Sequence, residues 1–282
     1  MLTLQIEDYF PRPTDKLAVY ASDPENNNHE HCHAFDELVM VERGHGLHVI
    51  NGKPHFIQEG DIFFVRGRDC HFYDELGTLK ITNVLINPTR PFSYLTNTEG
   101  LLARFDAAAG GNYGWLMPER HAQCRDLVAR LQQPAPSGAP EQAQAIRESL
   151  FFQLLMNMVA GSDGPKNHTK YKLHRLLGHV QEHCFEEIAW GEVAERFHLT
   201  QRTIYRQIKE TTGLTPEAYL KRLRLVSARV KIRETEMPIT DIAFLCGFSN
   251  SSHFTSSYKR LFGVTPSQER IAPRCPVLPL AG

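Results

Sequence analysis

Two arginines with helical spacing are the residues whose chemistry the sequence indicates most directly. Arg202 and Arg206 lie four positions apart in QRTIYRQIKETT, so on a helix both side chains point in the same direction. The planar guanidinium group is suited to bidentate hydrogen bonding with the O6 and N7 atoms of guanine in the major groove. In isolation such a pair is more often part of a solvated helix face. Whether the pair contacts DNA therefore depends on the secondary structure in which it lies.

An internal repeat carries these arginines. Residues 193–216 and residues 242–266 share small, apolar, glycine and Thr-Pro positions. The earlier matches, such as Ala194 with Ala243, occur at an offset of 49 residues, whereas the later ones occur at an offset of 50. One residue therefore separates the two registers, and it falls in or beside a turn.

Each copy of the repeat predicts a helix-turn-helix, at about residues 191–212 and 239–262. The pattern is a short helix with a small residue, a tight turn and a second helix with exposed polar groups. We expect Thr200 and Ser249 to cap the second helices. The segment between the copies, PEAYLKRLRLVSARVKIRE, predicts a helix about 28 Å long. Successive major-groove segments on one face of DNA lie about 34 Å apart.

The second helix of each copy supplies the candidates for DNA contact. In the first copy, Ile204 and Ile208 form an apolar face that leaves the polar side chains on other faces. In the second copy the polar groups are shorter, so we expect weaker base specificity. The candidate base contacts are Gln201, Arg202, Arg206, Asn250, Ser252 and His253. The candidate phosphate contacts, which position a protein without specifying sequence, are Lys209, Lys221, Arg222, Lys259 and Arg260.

Charge and composition agree with two domains of different character. A chain of 282 residues is long enough for about two domains. Residues 1–170 hold 15 Lys/Arg and 21 Asp/Glu, a net charge of -6, whereas residues 171–282 hold 16 and 11, a net charge of +5. The acidic N-terminal segment and the lack of a long apolar run predict a cytoplasmic protein that does not enter a membrane. Six cysteines without short paired spacing predict reduced thiols.

The first half predicts a small antiparallel barrel. Short Val/Ile/Phe-rich segments follow one another between residues 17 and 85, and Asn51-Gly52 is a strong hairpin signal. Two helical segments come after Pro118, and the second of them either caps the barrel or forms a dimer surface. Residues 161–173, which include GSDGPKNHTK, predict a linker between a domain at 1–160 and a domain at 174–272.

The second domain resembles the AraC/XylS family of bacterial transcription regulators. The resemblance rests on ITDIAFLCGFSNSSHFTSSYKRLFGVTP and on GLTPEAYLKRLRLVSAR, and it departs at SQER, where the family usually has an aromatic residue followed by Arg. It implies a sequence-specific activator that recruits RNA polymerase. Asp241 and Asn250 are the candidates for contact with the sigma subunit. For Asp241 we favour a structural role, since an acid in the first turn stabilises the helix dipole.

The first domain resembles the cupin barrel. The spacing His31-x-His33-x3-Glu37-x6-Gly44, followed by a later His71, is similar to the cupin motifs, whose His and Glu residues bind a divalent metal. The second motif is degraded, and AraC/XylS regulators commonly use this barrel as a metal-free effector pocket. We therefore expect no metal and no enzymatic activity. The alternative is a metal-dependent cupin enzyme fused to a DNA-binding domain, with His31, His33, Glu37 and His71 as ligands.

The predicted architecture is thus a cupin-like all-β barrel with accessory helices, followed by an all-α domain with two helix-turn-helix motifs joined by a long helix. Nearly the whole chain is similar to the paired activators of the L-rhamnose operons, which implies L-rhamnose as the effector and rhamnose catabolic or uptake promoters as targets. We expect a homodimer and no cofactor. Small sugars bind through polar groups and stacking aromatic rings in a concave site. The candidates for the effector pocket are Phe35, Glu37, His48, Phe64, Tyr73 and Trp115.

Overall fold

The computed structural model describes residues 2–22, 30–108, 113–133, 140–161 and 169–271. These residues belong to two compact units. The first unit comprises Met1–Gly46 and Ile57–His168, and the second comprises Leu47–Phe56 and Thr169–Gly282, as far as these ranges are described. None of the described helices combines the length and the apolar character needed to span a bilayer.

A single eight-stranded sheet forms the core of the first half of the chain, which confirms the predicted all-β, cupin-like architecture. Its strand order is β1-β3-β7-β4-β6-β8, while β2 pairs with β7 and β5 pairs with β4. Asn51 and Gly52 both have positive φ in the β4–β5 turn, as an Asn-Gly hairpin requires. The strands are β1 (Leu2–Leu4), β2 (Leu17–Ser22), β3 (His31–His33), β4 (Asp36–Ile50), β5 (Lys53–Gln58), β6 (Asp61–Val65), β7 (His71–Ile86) and β8 (Gly114–Trp115).

Among the described residues, four α-helices and a short 3-10 helix (Ala103–Phe105) accompany the sheet. The α-helices are α1 (Ile6–Tyr9), α2 (Thr98–Leu102), α3 (Pro118–Gln132) and α4 (Pro140–Gly161). Alternate residues of the strands point to opposite faces, and Leu38 and Phe64 pack in one cluster with Leu127 of α3 and Phe151 of α4. The second helical segment therefore caps the sheet, as one of the two predictions has it. The same helix also leaves large apolar side chains exposed, namely Phe152 and Met156.

The second unit is built from helices whose bounds follow the sequence predictions closely. The long connecting helix covers the predicted 19 residues, and both helix-turn-helix motifs start and end within one residue of expectation. The helices are α5 (Thr169–Glu182), α6 (Trp190–Arg196), α7 (Gln201–Thr212), α8 (Pro216–Glu234), α9 (Ile239–Leu245), α10 (Ser251–Phe262) and α11 (Pro266–Ile271). At the predicted linker, α4 includes Gly161 and α5 begins at Thr169, and residues 162–168 lie outside the described residues.

A disulfide corrects the prediction that all cysteines are reduced. Cys32 and Cys70 are bonded, with their Cα atoms 4.4 Å apart. His31 of β3 pairs with His71 of the antiparallel β7, so Cys32 lies directly opposite Cys70, close enough for a bond. The cysteines are 38 residues apart in sequence, and no local spacing reveals the pair. Cys124, Cys184 and Cys246 are free and buried, and Cys275 lies outside the described residues.

Candidate nucleic-acid interface and barrel interior

The two helix-turn-helix motifs repeat the same backbone geometry. The amide of Leu199 donates to the carbonyl of Ala194 at 2.9 Å, and the amide of Phe248 donates to the carbonyl of Ala243 at 3.0 Å. In each turn one residue lies in the left-handed region, His198 at φ 53° and Gly247 at φ 80°. These pairs keep the offset of 49, so the extra residue of the second motif lies after Phe248.

The extra residue moves the N-cap of the second motif. Thr200 caps α7 as predicted, because its hydroxyl accepts a hydrogen bond from the amide of Thr203 at 3.1 Å. Ser249 does not cap α10, and that prediction is wrong. Asn250 is the cap, and its side-chain oxygen accepts from the amides of Ser252 at 2.8 Å and His253 at 3.0 Å. Since Asn is as good a cap as Ser, the insertion decides which of the two neighbours takes the role.

The first recognition helix presents a long basic face to solvent. Ile204 and Ile208 are fully buried, as the apolar spacing predicts. Gln201, Arg202 and Arg206 are exposed on α7. No hydrogen bond or ion pair is found for Arg202 or Arg206 among the described residues, so both guanidinium groups retain their donors for a ligand.

The second recognition helix presents shorter groups. Phe254 and Tyr258 are buried, as expected, and Ser252 and His253 are exposed. The side-chain oxygen of Asn250 is occupied at the cap, so its amide nitrogen is the group that remains for an outside partner. This helix therefore offers fewer long donors than α7.

The candidate phosphate contacts differ in exposure. Three of them, Lys209, Lys259 and Arg260, are exposed in the last turns of α7 and α10. Lys221 and Arg222 are half-buried on α8. Asp241 is exposed in the first turn of α9, which is the location that its predicted role at the helix dipole requires.

A side chain that the sequence analysis missed connects α8 to the second motif. The guanidinium group of Arg224 donates to the carbonyls of Cys184 at 2.6 Å, Glu186 at 2.7 Å and Gly247 at 2.8 Å. The same arginine thus joins the loop after α5, the long helix and the turn of the second motif. Because all three acceptors are backbone carbonyls, the sequence contains no signal for this contact.

A second missed contact holds α11 against α8, at the segment SQER that departs from the family pattern. Glu269 is buried and accepts from Arg229 at 3.2 Å and from Arg233 at 2.7 Å. Burial by itself would raise the pKa of Glu269, but the charges and hydrogen bonds of Arg229 and Arg233 outweigh it and hold the pKa below its usual range. The last helix is therefore fixed by an ion pair network.

The interior of the barrel brings together the four residues whose side chains could bind a metal ion. His31, His33, Glu37 and His71 are 3%, 3%, 5% and 0% exposed. The Nε2 atoms of His33 and His71 are 2.9 Å apart. Oε1 of Glu37 lies 3.6 Å from Nε2 of His33, and its Oε2 lies 3.9 Å from Nε2 of His71. Burial, and then the nearby His31, lower the pKa of His33 to about 3, so this ring is neutral at pH 7.

The structure brings some of the effector-pocket candidates together and separates others. Phe35 stacks on His33 with ring centroids 5.1 Å apart, and the ring centroid of Tyr73 lies 5.5 Å from that of His71, so both adjoin the buried histidines. Phe64 instead faces the helices. Trp115 donates to the carbonyl of Glu59 at 3.2 Å, and His48 is buried in the segment that belongs to the second unit.

Asn83 is a polar residue of the interior that the sequence analysis missed. It is buried on β7, and its side-chain oxygen has no hydrogen-bond partner among the described residues. Leu85, two residues further along the strand, packs with Phe35, and alternation places Asn83 on the same face. A planar amide in this place is suited to a hydroxylated ligand.

Comparison with known proteins agrees with both halves of this description. Residues 16–155 match the family of AraC-like ligand binding domains, and residues 193–271 match a helix-turn-helix domain family. The HTH-type transcriptional activator RhaS of Escherichia fergusonii is 38% identical over 275 residues, 96% of this chain and 97% of the relative. RhaS of Enterobacter sp. (strain 638) is 37% identical over 272 residues, with the same coverage.

These relatives confirm the predicted resemblance to regulators of the AraC type and to activators of the rhamnose operons. Of the two activators in that pair, RhaS and RhaR, the relatives named here are RhaS. They are transcriptional activators by name, which supports a regulator over the alternative of a cupin enzyme.

Proposed function

The chain belongs to the AraC family of DNA-binding transcriptional activators, and on that premise we propose that it activates genes for L-rhamnose uptake and catabolism when it binds L-rhamnose. The observation that carries the DNA-binding part is the duplicated helix-turn-helix with exposed donors on both recognition helices. The protein acts as a regulator and not as an enzyme. We place it in the cytoplasm, where its DNA is.

We propose that α7 reads bases and that α10 binds DNA with less discrimination. Arg202 and Arg206 lie on one exposed face without a hydrogen-bond or ion-pair partner in the part of the chain that the structure describes, and each can form a bidentate contact with guanine. On α10, Ser252, His253 and the amide of Asn250 supply short groups. Arg224 stabilises this arrangement, because its hydrogen bonds join α8, the helix that follows the first motif, to the turn of the second motif. The phosphate contacts are Lys209, Lys221, Arg222, Lys259 and Arg260.

We propose that the effector binds in the interior of the sheet, where Glu37, Tyr73 and Asn83 provide polar groups beside the ring of Phe35. The relatives are RhaS activators, and the resemblance to rhamnose-operon activators points to L-rhamnose. The sugar must bind the active arrangement more tightly than the inactive one, since otherwise it shifts no equilibrium. Phe64, Trp115 and His48 then contribute to packing and not to the pocket.

Homodimerisation and polymerase contact complete the proposal. The exposed Phe152 and Met156 of α4 lie four residues apart and form an apolar surface, which a second copy of the chain would cover. The sigma subunit of RNA polymerase would meet the protein near Asp241 and Asn250, at the start of the second motif, where both side chains are exposed.

Footprinting of the full-length protein on the promoter beside its own gene tests the proposal. We expect protection of two segments about one helical turn apart, with L-rhamnose strengthening the protection or the transcription that follows from it. L-Fucose, another 6-deoxyhexose, is the control sugar. The Arg202→Ala/Arg206→Ala variant should lose the protection of one segment first.

An absence of protection under every condition would refute the DNA-binding proposal. Protection and transcription that respond equally to both sugars, or to neither, would refute L-rhamnose as the effector while leaving the DNA-binding proposal intact.

A further inference from the structure

We infer that His179, Glu182 and His183, at the C-terminal end of α5, form a binding site for one divalent transition-metal ion. The site belongs to the second unit and is distinct from the histidines of the barrel. This inference goes beyond the proposed function, which involves DNA, a sugar and polymerase but no metal ion.

The sequence spacing places the three ligands on one face of the helix. His183 follows His179 by four residues and Glu182 follows it by three, so all three are neighbours on the helix surface. Two histidines at this spacing on a helix can bind one zinc ion. The amide of His183 donates to the carbonyl of His179 at 3.2 Å, so the helical hydrogen bonding continues as far as His183.

The ligand atoms are close enough to bind one ion together. One nitrogen or oxygen from each of the three residues lies within 4.8 Å of the others, and the ring centroids of His179 and His183 are 4.3 Å apart. Two ligand atoms bound to one ion are at most about 4.4 Å apart. A small side-chain rotation therefore completes the site, and Glu182, which is exposed, has room for it.

The rings of both histidines are oriented by contacts outside the site. Nδ1 of His183 lies 2.9 Å from the carbonyl oxygen of His179. Because a carbonyl only accepts, Nδ1 carries the proton and Nε2 keeps its lone pair for an ion. Histidines that bind metals usually donate their other ring nitrogen to such a carbonyl or to a carboxylate. The ring of His179 packs against Phe197, with centroids 5.7 Å apart.

The surrounding charges favour a cation at this position. Glu182 and Glu186 act on His179 as negative charges and Arg196 acts as a positive one, so the acidic groups outnumber the basic one. Burial, and then His183 and Arg196, lower the pKa of His179, which favours the neutral ring that metal binding requires. The C-terminal end of a helix also attracts positive charge through its dipole.

The chemistry of the ligands selects the class of ion. Two imidazoles with one carboxylate suit Co²⁺, Ni²⁺, Cu²⁺ or Zn²⁺ better than Mg²⁺ or Ca²⁺, which prefer oxygen ligands. The segment that follows the site supplies the carbonyls of Cys184 and Glu186 to Arg224. An ion at the end of α5 therefore stabilises the segment that Arg224 joins to the second motif.

The test uses the untagged full-length Trp115→Phe protein, stripped with a chelator and then titrated with Zn²⁺. Trp190 lies in the second unit, so its fluorescence during urea denaturation reports the unit that holds the proposed site. Above the Kd, each tenfold rise in free Zn²⁺ should raise the folding equilibrium constant of this unit about tenfold. In the same background, His179→Gln/His183→Gln should lose this response.

Two control variants and one measurement on the wild type complete the design. Glu187→Gln changes an exposed carboxylate near the site, and His45→Ala removes a half-buried histidine of the first unit. In both variants Trp190 should respond to Zn²⁺ as before. In the wild-type protein, Zn²⁺ should slow the carbethoxylation of His179 and His183, measured by peptide mass spectrometry, and this holds even if the double variant does not fold.

Three outcomes would overturn the inference. The unfolding midpoint reported by Trp190 could be independent of Zn²⁺, or it could respond equally in His179→Gln/His183→Gln, in which case the second unit binds an adventitious ion only. Carbethoxylation of the two histidines could also proceed at the same rate with and without Zn²⁺. None of these outcomes bears on DNA binding, which the footprint measures separately.

Discussion

At the scale of single residues, the arginines of the two recognition helices differ in what they can specify. Arg202 is in the first turn of α7, whereas Arg260 is near the end of α10. The N-terminal residues of a recognition helix are the ones that reach base edges. We therefore propose that Arg202 reads bases and that Arg260 binds phosphate.

Arg202→Ala should cost about 1–3 kcal/mol of binding free energy on the cognate site and relax preference at one base position. The reason is the loss of a bidentate contact to one guanine. Fluorescence anisotropy with a set of single-base operator variants measures both effects.

Arg260→Ala is the matched control. It should weaken binding to all sequences alike and reduce the slope of log K against log salt by about 1. A uniform loss across sequences for Arg202→Ala as well would show that Arg202 contacts phosphate and that the assignment of base reading to α7 is wrong.

At the scale of elements, α11 depends on the charge of Glu269. Its carboxylate lies between Arg229 and Arg233 of α8. The pKa of Glu269 in the folded protein is below the usual value of 4.5. A carboxyl with a lowered folded pKa contributes stability that is present above the unfolded pKa and is lost as the pH falls through the folded pKa.

Glu269→Gln should lower the free energy of unfolding by about 2 kcal/mol at pH 7, since hydrogen bonds to charged groups are lost. The difference from the wild type should shrink below pH 4.5 and vanish below the folded pKa of Glu269. Urea denaturation between pH 7 and pH 3 measures it. Glu234→Gln, which changes an exposed glutamate of α8, should alter the stability little at any pH, and a difference between Glu269→Gln and wild type that stays constant down to pH 3 would contradict the argument.

The same elements show which features the sequence reveals. The bounds of α7, α8 and α10 were predictable because apolar spacing, Thr-Pro starts and Gly ends are local signals. The cap at Asn250 was not, because two adjacent residues can both cap and the one-residue insertion decides between them. The contacts of Arg224 were also missed, because its partners are backbone carbonyls. The Cys32–Cys70 disulfide was missed because the two cysteines are 38 residues apart in the sequence.

The interior of the barrel was predictable in part. The spacing of His31, His33, Glu37 and His71 identified the four residues that the structure brings together. The sequence analysis named Phe64 together with Glu37 as a candidate for the effector pocket, and whether both face the same side of the sheet depends on strand register. Glu37 pairs with Val65 and Leu38 with Phe64, so Phe64 lies on the opposite face, and only the register reveals this.

At the scale of the whole molecule, we expect the two units to respond differently to a reductant. The disulfide joins two strands of the first unit, whereas the described cysteines of the second unit, Cys184 and Cys246, are buried thiols. A cross-link across 38 residues stabilises a folded domain by about 4 kcal/mol in the loop-entropy relation, with measured values more often between about 2 and 4.

Reduction should therefore lower the free energy of unfolding of the first unit by about 2–4 kcal/mol and leave that of the second unaltered. The chain has two tryptophans, one in each unit, Trp115 and Trp190. Fluorescence of Trp190→Phe follows the first unit during denaturation, and Trp115→Phe follows the second.

The variant Cys32→Ser/Cys70→Ser provides the control, since its denaturation should not respond to reductant. Equal unfolding midpoints for Trp190→Phe with and without reductant would contradict the prediction, as would alkylation of Cys32 and Cys70 in the unreduced protein.

The length of the uninterrupted helix α8 is expected to set the spacing between the two half-sites of the operator. The helix connects the two helix-turn-helix motifs over 19 residues, about 28 Å at 1.5 Å per residue, and its contacts through Arg224 and with Glu269 hold it in place. One inserted base pair shifts the second half-site by about 3.4 Å and turns it by roughly 34°. A stiff connector cannot follow such a shift, so substitutions within the half-sites can be tolerated one letter at a time, whereas the gap between them has to keep its length.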